Sequence, residues 1–274
     1  MKVPILGQQT LLRQIDSMID SGNFPQFSII YGGRRNGKLL ISQHIAERLN
    51  AHSLIMDKPS ADDVRNVIDA TRHNTARVEF IFRHVDDMSN QAVNSMLKLL
   101  EEPPKNTYFV FTVRDKERLL DTIKSRGTEF SMDSYSVSEL TEYNHGVRPP
   151  SFCATPSDVD ICNRTGGLED FVSLVADNIH TVPFVNACKI LNRIDLEGAE
   201  DTEKYDLYLF LRAFYIECFN RICFSASTRE YKKAYWSCMQ CTMHIYHAIR
   251  GGTNLKMLMD KWLMDVRNAL KSAL

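Results

Sequence analysis

The sequence predicts an α/β half followed by an all-α half, and three observations carry that expectation. Short apolar runs, at 27–31, 53–56, 78–82 and 108–113, alternate with segments patterned as amphipathic helices. A glycine-rich stretch, Gly32-Gly33-Arg34-Arg35-Asn36-Gly37-Lys38, joins the first apolar run to a helical segment. From about Ser134 the strand-like runs stop and helical periodicity takes over. Strands alternating with helices imply a parallel sheet covered on both faces.

Each element has a local reason. Pro4 to Gly22 reads as a helix, with Leu11, Leu12, Ile15 and Met18 in its apolar stripe. Phe27 to Tyr31 is a compact strand, and Leu40, Ile41, Ile45 and Leu49 mark the helix after the glycine loop. Strand, glycine-rich loop and helix in that order is the context of a phosphate-binding loop, where backbone N–H groups and the helix N-terminus make an anion site. Ser53 to Met56 is a second strand, and Ser60 with Asp63 opens a helix in capping-box style. Val78 to Phe82 is a third strand. Ser89 is the expected cap of a helix whose Ala92, Val93, Met96, Leu97 and Leu100 recur at helical spacing. Pro103-Pro104 ends it, Tyr108 to Val113 follows as a strand, and Ser125-Arg126 precedes another.

The second half reads as helices at 137–143, 156–164, 168–179, 184–191, 205–224, 231–249 and 255–274. Gly166-Gly167, Gly198, Ser225-Ala226-Ser227 and Gly251-Gly252 separate several of them. Spacing alone predicts a helical bundle.

Composition narrows the function. With 274 residues, of which 44% are hydrophobic, the chain can bury real cores. Thirty-three basic and 34 acidic residues leave no global basic field, so any DNA contact is expected to be local. No apolar run after Lys2 suggests a signal peptide and none is long enough to span a membrane, which predicts a cytoplasmic protein. All seven cysteines lie beyond residue 150 and fit reduced thiols filling apolar space. Cys238, Cys241, His244 and His247 could in principle ligate zinc. They fall at three-residue steps along a continuous helical pattern, however, which favours core helix over a metal site.

The stretch 78–130 carries the chain's strongest signature. Its wording, "NSMLKLLEEPP…TYFVFT…ERLLDTIKSR", together with the order helix, Glu-Glu-Pro-Pro stop, strand and Ser-Arg pair, resembles the core of AAA+ clamp-loader subunits, most closely the bacterial delta-prime type. The resemblance implies an AAA+ core at 1–134, a small helical lid at 135–179 and a helical collar at 180–274. It also implies other loader subunits as partners in a hetero-oligomer, a pentamer in this family, with a sliding clamp and primer-template DNA reached through the assembly. Loader subunits often carry a four-cysteine zinc module after the first core helix; here Asn50-Ala51 passes directly to the next strand.

Against that family, the nucleotide site is eroded. Gly32, Gly37 and Lys38 keep the loop, but Leu39 replaces the hydroxyl residue that holds magnesium. Arg83 and His84 fall where the metal-anchoring Asp and the water-orienting Glu belong, with Asp86 and Asp87 beyond them. Magnesium wants oxygen ligands, and a guanidinium repels it. Leu168, Glu169 and Asp170 follow Gly166-Gly167 where the lid usually offers an arginine. The polar sensor on the next strand falls at Thr112 or Val113, with the register favouring Val113. These departures predict no intrinsic ATPase, no resident metal and no required cofactor, with ATP binding doubtful. What persists is Ser125-Arg126, which the resemblance casts as an arginine finger offered to ATP on a neighbouring subunit; Gly127 replaces the usual cysteine. The expected role is a non-catalytic, stator-like subunit. A divergent ATPase motor and a structural adaptor are the alternatives.

Overall fold

Five apolar segments pair in parallel to make the sheet of the first half. They are β1 (Phe27–Tyr31), β2 (His52–Asp57), β3 (Val78–Arg83), β4 (Thr107–Val113) and β5 (Thr128–Ser131), in the spatial order β2-β3-β4-β1-β5. The computed structural model describes residues 5–57, 60, 62–64, 66–67, 76–88, 90–114, 116–196, 205–225, 228–249 and 253–272.

Alternation along each strand sends side chains to two separate cores. On one face, Phe80, Phe82, Phe109, Phe111 and Ile29 pack with Val64, Val67, Val93, Met96 and Leu100. The last three of these belong to α3 (Asn90–Glu101), whose apolar stripe is the one read from the sequence. On the other face, Ile30, Val110 and Phe130 meet Leu11 and Ile15 of α1 (Gln9–Asp20) and Ile41, Ile45 and Leu49 of α2 (Lys38–Leu49). Burying one such Ile or Phe side chain contributes about 1.5–3 kcal/mol, so the central strands are the stable part of this half.

The chain divides into two compact units, Met1–Glu139 and Leu140–Leu274. Starting at the boundary, α5 (Val137–Tyr143) follows a four-residue helical turn, α4 (Asp121–Lys124). The second unit continues with α6 (Pro156–Thr165), α7 (Leu168–Asn178), α8 (Phe184–Leu191), α9 (Leu207–Asn220), α10 (Arg229–Ala248) and α11 (Leu255–Lys271). Its centre is Trp262, fully buried, with Phe210 and Phe214 edge-on to it and its indole N–H donating to Thr242 Oγ1 at 3.0 Å. Side-chain caps start four of these helices: Thr155 for α6, Asp206 for α9, Thr228 for α10 and Asn254 for α11.

Several elements differ from the sequence reading. The first helix begins at Gln9 because Gln8 takes a left-handed backbone (φ 60°) that a helix cannot continue through. β3 runs one residue further, to Arg83. β2 is an edge strand, and among the described residues its Leu54 and Ile55 are about half exposed. The second half is not entirely helical, since β6 (Ile194–Asp195) pairs in parallel with β7 (Tyr205–Asp206) and Asp206 delays α9 to Leu207. Beyond α9, Arg221–Ser225 forms a π turn instead of extending the helix. Ser60 and Asp63 do form a reciprocal capping box, at 2.7–3.2 Å. The expected cap at Ser89 lies outside the described residues. Among the described residues, no helix is long and apolar enough to cross a membrane.

Candidate nucleotide-loop and arginine site

The loop between β1 and α2 is where the glycines matter. Gly37 holds φ +83°, a left-handed conformation that turns the chain into α2 and that a side chain would strain. Lys38 opens the helix, but its ammonium folds back: Nζ donates to the carbonyls of Gly32 at 2.7 Å and Gly33 at 2.6 Å. Burial brings its pKa down to about 8, Asp86 opposes that shift, and Arg114, Arg34 and Arg83 add to it. Tyr135 closes the loop from the side, its hydroxyl donating to the Asn36 carbonyl at 3.0 Å.

The strand ends opposite the loop are basic. By alternation Arg83 points to the α2 face, and its Nη1 lies 3.5 Å from Asp57 on β2. His84 follows in a left-handed backbone, and burial, then Arg114, hold its imidazole below its ordinary pKa. Asp86 does not reach a metal position open to solvent. Its carboxylate is fully buried, 3.4 Å from Arg114 Nε and 3.9 Å from Arg118 Nη1, and neither oxygen has a hydrogen-bond partner. A magnesium site needs convergent oxygens; here a guanidinium ends β3 and the nearest buried carboxylate faces two more. The residues present do not fit the metal.

The sensor position resolves differently from the register reading. Val113 packs in the Phe80–Phe111 core, so Thr112, paired with Arg83 across the ladder, is the residue on the α2 face. Gly166 and Gly167 lead into α7, with Glu169 and Asp170 in its first turn. Cys238 faces the core of the second unit while His244 and His247 are exposed, so these candidate ligands do not converge.

Ser125 and Arg126 end the α4 turn, just before β5. The Arg126 guanidinium is partly exposed and held within its own chain. Nε donates to Glu101 Oε1 at 3.0 Å, Nη2 donates to the same oxygen, and Nη1 donates to the Thr122 carbonyl at 2.6 Å. Ser125 Oγ donates to the Thr122 carbonyl at 3.3 Å. The two are adjacent, but only Arg126 is turned onto the end of α3, while Ser125 bonds back into the α4 turn. Gly127 is closely packed: a Cβ there would lie 2.6 Å from Ile29 Cδ1 and 2.7 Å from its Cγ1, so a cysteine would require the Ile29 side chain to shift.

Sequence reasoning missed Glu101 as the partner of Arg126, and Arg114 and Arg118 as partners of Asp86. A signal existed for the first: two acids at a helix C-terminus oppose the helix dipole and call for a cationic partner.

A parallel five-stranded sheet in the order β2-β3-β4-β1-β5, with a phosphate-type loop between β1 and α2 and helices following, is the fold of an AAA+ P-loop-type core with an α-helical second half. A solved DNA polymerase III gamma subunit-related protein from Thermotoga maritima shares this fold, with a TM-score of 0.55 at 16% identity, covering 95% of this chain and 99% of that one. More particularly, the chain resembles the subunits of DNA polymerase III, the delta-prime type included. The profile of the family described as "DNA polymerase III, delta subunit" matches residues 62–136. DNA polymerase III subunit tau of Escherichia coli is 23% identical over 203 residues, 62% of this chain and 32% of its own. Subunit delta' of Bacillus subtilis is 51% identical over 47 residues, 17% of this chain and 14% of its own. The match thus spans about a third of the tau chain's length.

Proposed function

We propose that the chain is a non-hydrolysing, stator-like AAA+ subunit of a DNA polymerase III clamp loader, lending Arg126 to ATP bound on a neighbouring subunit. The observation that carries this reading is the end of β3: Arg83, ion-paired to Asp57, stands where a motor subunit needs a carboxylate for magnesium. The collapse of Lys38 onto its own loop carbonyls supports it, because the ammonium is engaged before any phosphate arrives. Arg126 is partly exposed at a helix end, and a guanidinium offered in trans stabilises charge on a transferring phosphoryl by a rate factor on the order of 10³–10⁵. On this reading Glu101 stores Arg126 in the isolated subunit and releases it when a phosphate competes.

The same reading assigns 1–134 as the core, 135–179 as lid and 180–274 as collar, within a cytoplasmic hetero-oligomer that is a pentamer in the resembling family. The sliding clamp and primer-template DNA would be engaged through that assembly. Exposed aromatics in the second unit, Phe224, Trp236 and Phe219, suit a subunit contact in the collar.

Titration of the isolated chain with a fluorescent ATP analogue tests the eroded site. Equal, weak signal with and without magnesium is expected. Tight binding that requires magnesium would return the chain to the motor class.

A further inference from the structure

Far from the loop in sequence, two thiols touch within the helical unit. Cys153 lies in the turn before α6 and Cys162 on that helix, with their Sγ atoms 3.5 Å apart. The frame around them is fixed. Thr155 caps α6, the Asp158 carboxylate accepts the Ala154 N–H at 3.1 Å and Arg212 Nη1 at 2.7 Å, and the same nitrogen donates to the Phe152 carbonyl at 3.2 Å. Turn and helix are thus pinned so that the sulfurs face each other. A disulfide bond is about 2.05 Å long, so the sulfurs need to close by roughly 1.5 Å, within reach of side-chain rotation.

The two sulfurs are not equivalent. Cys153 is buried at 8% exposure, whereas Cys162 is only partly covered. The hydrogen bond with Cys162, then burial and Asp158, raise the Cys153 thiol, against the opposing pull of Arg212. Cys162 is therefore the sulfur that meets an oxidant, and Cys153 the one that resolves it. A second close pair, Cys218 and Cys238, is fully buried and offers an oxidant no such approach.

We propose that Cys153 and Cys162 form a reversible disulfide, making this turn a thiol-oxidation site for hydroperoxides. The Cys162 thiolate attacks the peroxide oxygen, giving a sulfenic acid and hydroxide. The Cys153 thiol then attacks that sulfur, the S–O bond breaks, and water leaves with the Cys153 proton. Two thiols are oxidised by two electrons and one peroxide is reduced to water and hydroxide, the latter taking up the proton that Cys162 released. The product staples α6 to the turn before it. The proposal stands apart from the clamp-loader reading and rests on different residues.

The test treats the full-length reduced protein with hydrogen peroxide, blocks remaining thiols by alkylation and maps the peptides by mass spectrometry. The expected result is a Cys153–Cys162 link that dithiothreitol reverses, with Cys218 and Cys238 still alkylated after denaturation, and an unfolding midpoint a few degrees higher in the oxidised protein. In Cys153→Ser, Cys162 should instead accumulate as sulfenic acid, trapped by dimedone. The proposal is overturned if the wild-type protein yields over-oxidised Cys162 with Cys153 still alkylatable, a different pairing, or oxidation confined to the exposed Cys223.

Discussion

Arg126 donates from two of its nitrogens to one carboxylate oxygen of Glu101, joining a residue two positions before β5 to the last residue of α3. Both are partly exposed, so the pair is weak by itself and open to competition from a stronger anion. A triphosphate is such an anion. The contact turns the Glu-Glu-Pro-Pro corner from a helix stop into a holder for the arginine.

Glu101→Gln should therefore leave the fold nearly unchanged, costing less than about 1 kcal/mol in urea unfolding. In an assembled complex it should raise the affinity with which the neighbouring site binds ATP, since Arg126 no longer leaves an ion pair. A loss above about 3 kcal/mol would mean that the pair is structural.

Glu79 is buried in β3 with both carboxylate oxygens lacking a hydrogen-bond partner, and burial raises its pKa from 4.5 to about 8. The folded protein holds this proton up to about pH 8, while the unfolded chain gives it up near 4.5. Between those values the folded state binds more protons, so stability falls as pH rises, by up to about 1.4 kcal/mol per pH unit. Chemical unfolding from pH 5 to 8 should show that slope in the wild type beyond what Glu79→Gln shows.

Lys38 should titrate near pH 8, well below the 10.5 of an exposed lysine, because its ammonium is buried beside three arginines. The Cε resonance followed by NMR gives the midpoint directly. The sign is opposite to that of Glu79: between about 8 and 10.5 the unfolded chain holds the extra proton, so this group makes stability rise with pH.

Gly127→Cys should destabilise the core by about 1–3 kcal/mol, the usual cost of overpacking. Ile29 is the atom group in the way, so Ile29→Val in the same chain should recover part of the loss. Full recovery is not expected, because Phe27 Cε1 lies 2.9 Å from the same Cβ.

Much of the fold was legible because each signal was local. The apolar runs 27–31 and 78–82, the Gly37 turn and the Ser60–Asp63 cap each depend on neighbours in sequence. What was hidden were pairings between residues far apart in sequence. Arg114 and Arg118 reach Asp86 over a gap of about thirty residues, and Glu101 reaches Arg126 over 25. Thr112 against Val113 was a question of strand face, which one residue of register inverts.

The central claim is that Arg126 acts on a neighbour's nucleotide while this chain's own loop is catalytically idle. DNA-stimulated ATP turnover of the assembly, reconstituted with Arg126→Ala or with Lys38→Ala in this subunit, tests it most directly. The account predicts that Arg126→Ala silences one neighbouring site, by a factor on the order of 10³ or more, while Lys38→Ala leaves turnover unchanged. The opposite pattern, turnover lost with Lys38→Ala and kept with Arg126→Ala, would contradict it.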